Sequence, residues 1–148
     1  MNAQQGLNQI LDRAVIAARL GPNFEHKQEV RAINRDIDRV DKAGKADVKK
    51  YGNAATMGIG CMPGLKDKAG NELDEKMQEA IQSTKTERLA QKTELTKKLY
   101  DLEPNAINSN KLEKIRQRAQ RNVQMRYDMK RIQKAEFDSY MNRLGGNQ

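Results

Sequence analysis

The chain has 148 residues, of which 32% are charged and only 4% are aromatic, and it has no tryptophan. This length allows one compact domain, but so polar a composition excludes a large apolar core. The net charge of +8 indicates a partner that is either a polyanion or an acidic protein surface.

The first apolar pattern predicts a helix over residues 4–20. Its apolar positions follow Leu7 with the 3, 4, 7, 8 and 11 spacing of a single helix face. Gly21 and Pro22 end this pattern, because neither residue favours the last turn of a helix.

A second helix begins after Asn23, which can cap it. Its apolar positions step by three and four residues, as in the seam of a coiled coil, and they are Val30, Ile33, Ile37 and Val40. A seam this narrow needs one partner helix. Gly44 indicates an end or a break, after which Lys45–Tyr51 could add one or two turns.

Residues 52–64, which we call the Gly-rich arm, contain four glycines, one proline and no charged residue. Helix and strand are both disfavoured by this composition. Because the side chains are mostly small or apolar, two interpretations stay open: an extended arm in a groove of another subunit, or a mobile hinge. Residues 64–73 favour a tight turn, and a very short β-hairpin there is the only strand structure that we expect.

A third helix is predicted over residues 74–103, with Asp74 and Glu75 at its N-terminal dipole. Between Gln82 and Thr93 only Leu89 and Ala90 are apolar, so we expect this middle to span solvent or to pack weakly. Pro104 ends the helix, and the short loop that follows allows an antiparallel hairpin with the next helix.

The stretch Asn110–Leu144 predicts one uninterrupted helix of roughly 50 Å. Asn110 serves as its N-cap, and Glu113 lies three residues later, as in a capping box. No glycine or proline follows until Gly145. Residues 104–148 hold ten basic and four acidic residues, so this part of the chain carries a net charge of +6.

The basic side chains of this last helix are the best candidates for contact with nucleic acid or with an acidic partner. Arginines on successive turns can contact successive phosphates. The candidates are Lys114, Arg116, Arg118, Arg121, Arg126, Lys130, Arg131 and Lys134. Tyr127 is the only aromatic residue near them, so the pattern offers charge without base readout. The alternative is that these arginines pair with acidic helices of neighbouring subunits.

These patterns together predict an all-α protein of elongated helices, arranged as a helical hairpin with coiled-coil-like seams and a Gly-rich arm. The expected organisation is an N-terminal segment of two helices (1–51), the arm and turn (52–73), and a long hairpin that ends in a basic helix (74–148).

No catalytic site is predicted. The only cysteine and the only histidine, Cys61 and His26, would have to meet in space to form a nucleophile pair, and no basic neighbour activates Cys61. Carboxylates such as Asp36 and Asp38 lie among lysines and arginines, where they keep ordinary acidity. No metal-ligand spacing, dinucleotide fingerprint or Walker motif occurs, so we expect no enzyme, no cofactor, no metal and no small-molecule substrate.

Long helices, narrow seams and an apolar arm indicate a non-enzymatic structural subunit of a large assembly, whose other subunits would be its partners. The composition is similar to that of small virion proteins, which favours a head, connector or internal component of a phage or virus. The alternative is a basic accessory protein that binds DNA or RNA, including a ribosome-associated one, through residues 110–144. No window has the apolar length of a membrane span or a secretion signal, so we expect a location in a virion or in the cytoplasm.

Overall fold

The computed structural model describes residues 22–56 and 61–145, and within these ranges the chain forms helices and no strand. The helices are α1 (Pro22–Tyr51), α2 (Asn53–Thr56), α3 (Glu75–Leu102), α4 (Ser109–Asp128) and α5 (Lys134–Leu144). The all-α class is therefore confirmed. The helix predicted over residues 4–20 lies outside the described residues.

Helix α3 lies between α1 and α4, and both run antiparallel to it. Three side-chain pairs mark the register of α1 and α3, and they join His26 to Glu103, Asp41 to Lys92 and Asp47 to Arg88. On the other side, Glu79 and Thr86 of α3 contact Arg126 and Asn122 of α4. The predicted hairpin of the third and fourth helices is therefore present, and α3 is the central element of the fold.

Helix α1 continues through Gly44 to Tyr51 without a break. The expectation of a helix end at Gly44 is wrong, whereas the further turns over Lys45–Tyr51 are confirmed. A glycine in a helix interior costs only about 1 kcal/mol relative to alanine. Contacts on both sides of Gly44, from Asp41 and Asp47 to α3, hold the helix together across it.

The polar middle of α3 is buried, which contradicts the expectation that it spans solvent. Most of the buried residues in α3 are glutamine or threonine, namely Gln78, Gln82, Thr86, Thr93 and Thr96. The hydroxyls of Thr93 and Thr96 donate to the carbonyls of Leu89 and Lys92, at 2.8 and 2.6 Å. A threonine whose hydroxyl is satisfied within its own helix can present its methyl group to a neighbour, so a polar sequence here forms a packed interface.

Residues 53–56 form the single-turn helix α2, so this part of the Gly-rich arm is not extended. Ala54 and Ala55 are buried and pack with Leu73 and Ile81 of the same chain. The chain reaches this position because Gly52, at φ 59°, turns it directly after α1. Further along, the backbone N–H and C=O of Met62 bond to the Gln78 side chain, both at 2.9 Å.

The tight turn predicted within residues 64–73 is confirmed, but the hairpin is reduced to one antiparallel bridge between Lys66 and Glu72. The Asp67 carboxylate accepts the backbone N–H groups of Ala69 and Asn71 at 2.9 and 2.8 Å. These bonds, with that of Asn71 largest, hold the pKa of Asp67 below its usual range. The side chain of Asp67 therefore does the work that paired strands would otherwise do.

The prediction of one helix over residues 110–144 is wrong, because the chain breaks between α4 and α5. Lys130 adopts a left-handed conformation at φ 59°. The N–H groups of Lys130 and Arg131 bond back to the carbonyls of Tyr127 and Arg126, at 2.9 and 2.8 Å. This is a Schellman motif with lysine where glycine is usual. The predicted start is also displaced, since the Asn108 side chain caps α4 by accepting from the Asn110 N–H at 2.7 Å.

The break allows α5 to fold back onto the core. Ile132 and Leu144 enter an apolar cluster with Ala90, Ala119 and Val123. The rings of Phe137 and Tyr127 stack with their centroids 4.5 Å apart. A straight helix would leave these apolar side chains in solvent, and their burial outweighs the cost of placing a lysine in the left-handed region.

The left-handed lysine leads to a stability prediction. We expect Lys130→Gly to raise the free energy of unfolding by about 1 kcal/mol, because glycine reaches this conformation without the steric cost of a Cβ atom. Urea denaturation of the two proteins measures the difference. A loss of stability would show that the lysine side chain makes a compensating contact.

A second prediction concerns the pH dependence of stability. The hydrogen bonds from Arg143 to Glu87 are the main reason that the pKa of Glu87 is lowered, and the Tyr140 hydroxyl adds to the effect. A carboxyl whose pKa is lower in the folded chain stabilises it above the unfolded pKa and stops doing so as the pH falls. Glu87→Gln should therefore be less stable than the native chain at neutral pH, and the gap should shrink below about pH 4.5. Thermal unfolding across this range measures it, with the exposed Glu29→Gln as the control that shows no such gap.

Candidate partner-binding surfaces

Arg126 is not available to a partner, although the sequence predicted it as a contact residue. Only 1% of Arg126 is exposed. Its guanidinium is paired with Glu79, and Nη1 donates to Thr86 Oγ1 at 3.0 Å. The position itself carried the signal, because Arg126 follows Ala119 by seven residues and Val123 by three, which places it on the buried face of α4. Arg126 therefore belongs to the core.

Two other predicted residues have partners within the chain. Arg116 pairs with Glu113 one turn earlier, at 2.9 Å. Arg131 lies 3.5 Å from Glu75 of α3 and is half-buried at the start of the connection to α5. Contacts of this kind are worth little in free energy, so both arginines could still exchange partners.

The remaining predicted residues are exposed. Lys114, Arg118 and Arg121 lie at 4- and 3-residue steps, so they share one side of α4, and Lys111 extends the row by one turn. We call these four residues the basic stripe. Within the described part of the chain none of the four forms an ion pair. Lys130 and Lys134 are also exposed, but they lie at the break and not on the stripe.

Lys85 of α3 is a basic residue that the sequence prediction missed. Its Nζ donates to the Thr56 carbonyl at 3.1 Å, and no carboxylate among the described residues pairs with it. Burial is the main reason that the pKa of Lys85 is lowered, and the nearby charge of Arg118 lowers it further. The sequence held a weak signal, since Lys85 lies four residues from both Ile81 and Leu89, on a face that packs.

Lys85 and Arg118 line a cleft of about 570 Å³ between α1 and α3, with the basic stripe at one side. We call it the α1–α3 cleft. Its apolar lining consists of Val40, Val48, Ala55, Ile81 and Leu89, with Gly44 between the two valines. Its carboxylates, Asp41 and Asp47, are already paired with Lys92 and Arg88. Lys45, Lys85 and Arg118 therefore leave an excess of three positive charges.

The coiled-coil-like seam lies on α1 but is covered only in part. Val30, Ile33, Ile37 and Val40 are all half-buried, and none of residues 23–51 is buried. Helix α3 is the neighbour that α1 has within the described chain. The longest helix of the fold therefore leaves a large part of its surface free for a partner.

The cysteine and the histidine lie at opposite ends of α3. His26 Nε2 is 3.0 Å from Glu103 Oε2, just beyond the last turn of α3, whereas Cys61 Sγ contacts the carbonyl of Glu75 in the first turn. Residues separated by the length of a 28-residue helix cannot act as one nucleophile pair. No group of three metal-ligating side chains occurs in residues 22–56 and 61–145. None of the helices described has the length and apolar character needed to cross a membrane.

Comparison of the chain with models of protein families, with curated proteins and with solved structures finds no match. The surfaces described above are therefore the basis on which function is argued.

Proposed function

We propose that this protein is a non-enzymatic structural subunit of a large macromolecular assembly. The observation that carries the proposal is helix α1, which has 30 residues and no buried residue among 23–51. Helices in water are stabilised mainly by packing of their apolar face. A helix of this length that is covered on one side only is best completed by a neighbouring subunit.

The exposed apolar side chains support the same proposal. Five large apolar residues are more than two fifths exposed, and they are Val48, Met62, Met77, Met125 and Met129. Four of the five are methionines, whose flexible side chains adapt to partner surfaces. Met125 and Met129 lie one turn apart on α4, so they can contact one partner together.

The assembly that we favour is a phage or viral particle, in which the chain would be a head, connector or internal component. Support comes from the composition, with polar helices, no tryptophan and few aromatic residues. The helical architecture suits this use, because antiparallel helices joined by short turns present long, rigid faces to several neighbours at once.

The proposal is tested by breaking the seam of α1. We expect the native chain to form oligomers in sedimentation velocity, and Ile33→Asp with Ile37→Asp to shift it to monomers, because two buried charges cannot be tolerated in an apolar contact. The matched control is Gln28→Asp with Asn34→Asp, which adds the same charge on exposed positions of α1 and should leave the oligomers intact.

Because the seam also faces α3, the milder pair Ile33→Ala and Ile37→Ala separates association from folding. This variant should keep its helical circular dichroism and still dissociate at a higher concentration than the native chain. Oligomers that resist both seam variants, or a native chain that stays monomeric, would overturn the proposal.

Binding of nucleic acid is the second candidate function, and the basic stripe favours it. Lys111, Lys114, Arg118 and Arg121 span about 15 Å on one side of α4 without ion pairs among the described residues. Such a row can neutralise successive phosphates, and the affinity should then fall steeply as salt rises. Replacing Arg118 and Arg121 by glutamine should reduce both the affinity for an oligonucleotide and its salt dependence. Replacement of the buried Arg126, by contrast, would act through folding.

A further inference from the structure

We infer that the α1–α3 cleft is a docking site for an acidic, amphipathic helix of a partner subunit. The inference rests on the proposed function, because it names the chemistry of one neighbour in the assembly. Two properties of the cleft carry it: an apolar floor and an unbalanced positive charge at the rim.

The floor of the cleft has the shape of a helix groove. Val40, Gly44 and Val48 step by four residues along α1, and Ile81, Lys85 and Leu89 do the same along α3. Two such ridges form the walls between which the side chains of a third helix can interdigitate. The ridges are two turns long, so a docked helix of two or three turns would cover them.

Gly44 keeps this groove open. A Cβ atom built at Gly44 meets no atom within 4 Å, so the space above the helix backbone is free. A glycine in the middle of a helix lowers its stability by about 1 kcal/mol relative to alanine, and no turn or positive φ requires one here. Access for a close-packed partner is a use of the position that offsets this cost.

The charges of the cleft select an acidic occupant. Asp41 and Asp47 are occupied by Lys92 and Arg88, while Lys45, Lys85 and Arg118 have no carboxylate partner among the described residues. Lys85 and Arg118 also repel one another. A carboxylate placed between them relieves this repulsion and forms charge-assisted hydrogen bonds with both groups.

A nucleic acid strand fits the cleft less well. Phosphates could contact Lys85 and Arg118, but the lining contains no aromatic ring on which a base could stack. The valines, Ile81 and Leu89 would instead lie against a polar sugar–phosphate backbone. An amphipathic helix satisfies both parts of the lining at once, with leucine-type side chains on the floor and glutamates at the rim.

Fluorescence anisotropy with a synthetic probe tests the inference. The probe is a labelled, helix-forming peptide of about 15 residues that carries leucines on one face and glutamates on the other. We expect saturable binding to the full chain, and at least roughly tenfold weaker binding to Lys85→Gln with Arg118→Gln, because the probe's carboxylates lose their partners. The matched control is Lys111→Gln with Lys114→Gln, which removes the same charge from α4 outside the cleft and should change the affinity by less than about twofold.

A second variant tests the groove by filling it. Gly44→Leu places a side chain in free space, strengthens the helix and should block the probe while circular dichroism is unchanged. The inference is overturned if the native chain shows no saturable binding, if both charge variants weaken binding equally, or if Gly44→Leu binds normally. An oligothymidylate that displaces the probe and binds more tightly would assign the cleft to phosphate. Sedimentation of the same samples reports the proposed function separately, since a chain can assemble and still reject the probe.

Discussion

Glu79→Ala is expected to lower the free energy of unfolding by about 3 kcal/mol, among the largest effects of any single substitution in this chain. The substitution leaves the guanidinium of Arg126 buried, with Thr86 as its remaining partner. An uncompensated charge in the interior is costly, because water cannot reach it. Urea denaturation measures the loss.

The opposite substitution should cost much less. Arg126→Met removes the buried charge and fills most of its volume, while Glu79, one third exposed, can turn towards water. Glu79 Oε2 and Arg126 Nε already lack hydrogen-bond partners among the described residues, so the pair is incompletely satisfied as it stands. We therefore expect a loss of about 1 kcal/mol for Arg126→Met.

The exposed pair of Arg131 and Glu75 provides the control. It joins the same two parts of the fold, and the Glu75 side chain is 78% exposed. Glu75→Gln should change the stability by less than about 0.5 kcal/mol. Equal losses for Glu79→Ala and Arg126→Met would contradict this account, because they would show that the two charges contribute symmetrically.

Leu144→Ala is expected to cost about 3 kcal/mol, although the residue lies only four positions from the end of the sequence. Leu144 is 1% exposed and packs with Ile132 and Val123 in the main apolar cluster. Few residues of this chain are both large and buried, so the loss of one leaves a cavity that its neighbours cannot fill. Thermal and urea unfolding measure the change.

Asn142→Ala is the matched control for Leu144. It shortens an exposed side chain in the same turn of α5 and should leave the stability within about 0.5 kcal/mol of the native value. If Leu144→Ala proves equally mild, α5 would undock without loss to the rest of the core. The break after α4 would then have no stabilising role.

The features that the sequence predicted correctly depend on local chemistry. Asp74 begins α3 by accepting the Met77 N–H at 2.7 Å, Pro104 lies in the loop after it, and Gly145 ends α5 in a left-handed conformation. Each of these signals acts within four residues along the chain. The antiparallel hairpin of α3 and α4 follows directly from two long helices joined by a short loop.

The features that it missed depend on contacts between distant residues. Arg126 is buried because Glu79, 47 positions earlier, is placed opposite it. The break at Lys130 has no glycine or proline to announce it, and it is stabilised by what α5 then buries. Lys85 becomes part of a cleft only when α1 packs along α3. In each case tertiary packing outweighs the preference that a single residue type would show on its own.

The most direct test of the assembly proposal is sedimentation velocity of the full chain, combined with circular dichroism. The measurement is made with and without an oligonucleotide of about 30 nucleotides, at low and at high salt. The account predicts a helical species larger than one chain that forms without the oligonucleotide and persists in high salt. A chain that stays monomeric alone, binds the oligonucleotide at low salt and releases it at high salt would contradict it and would make the basic stripe the functional surface.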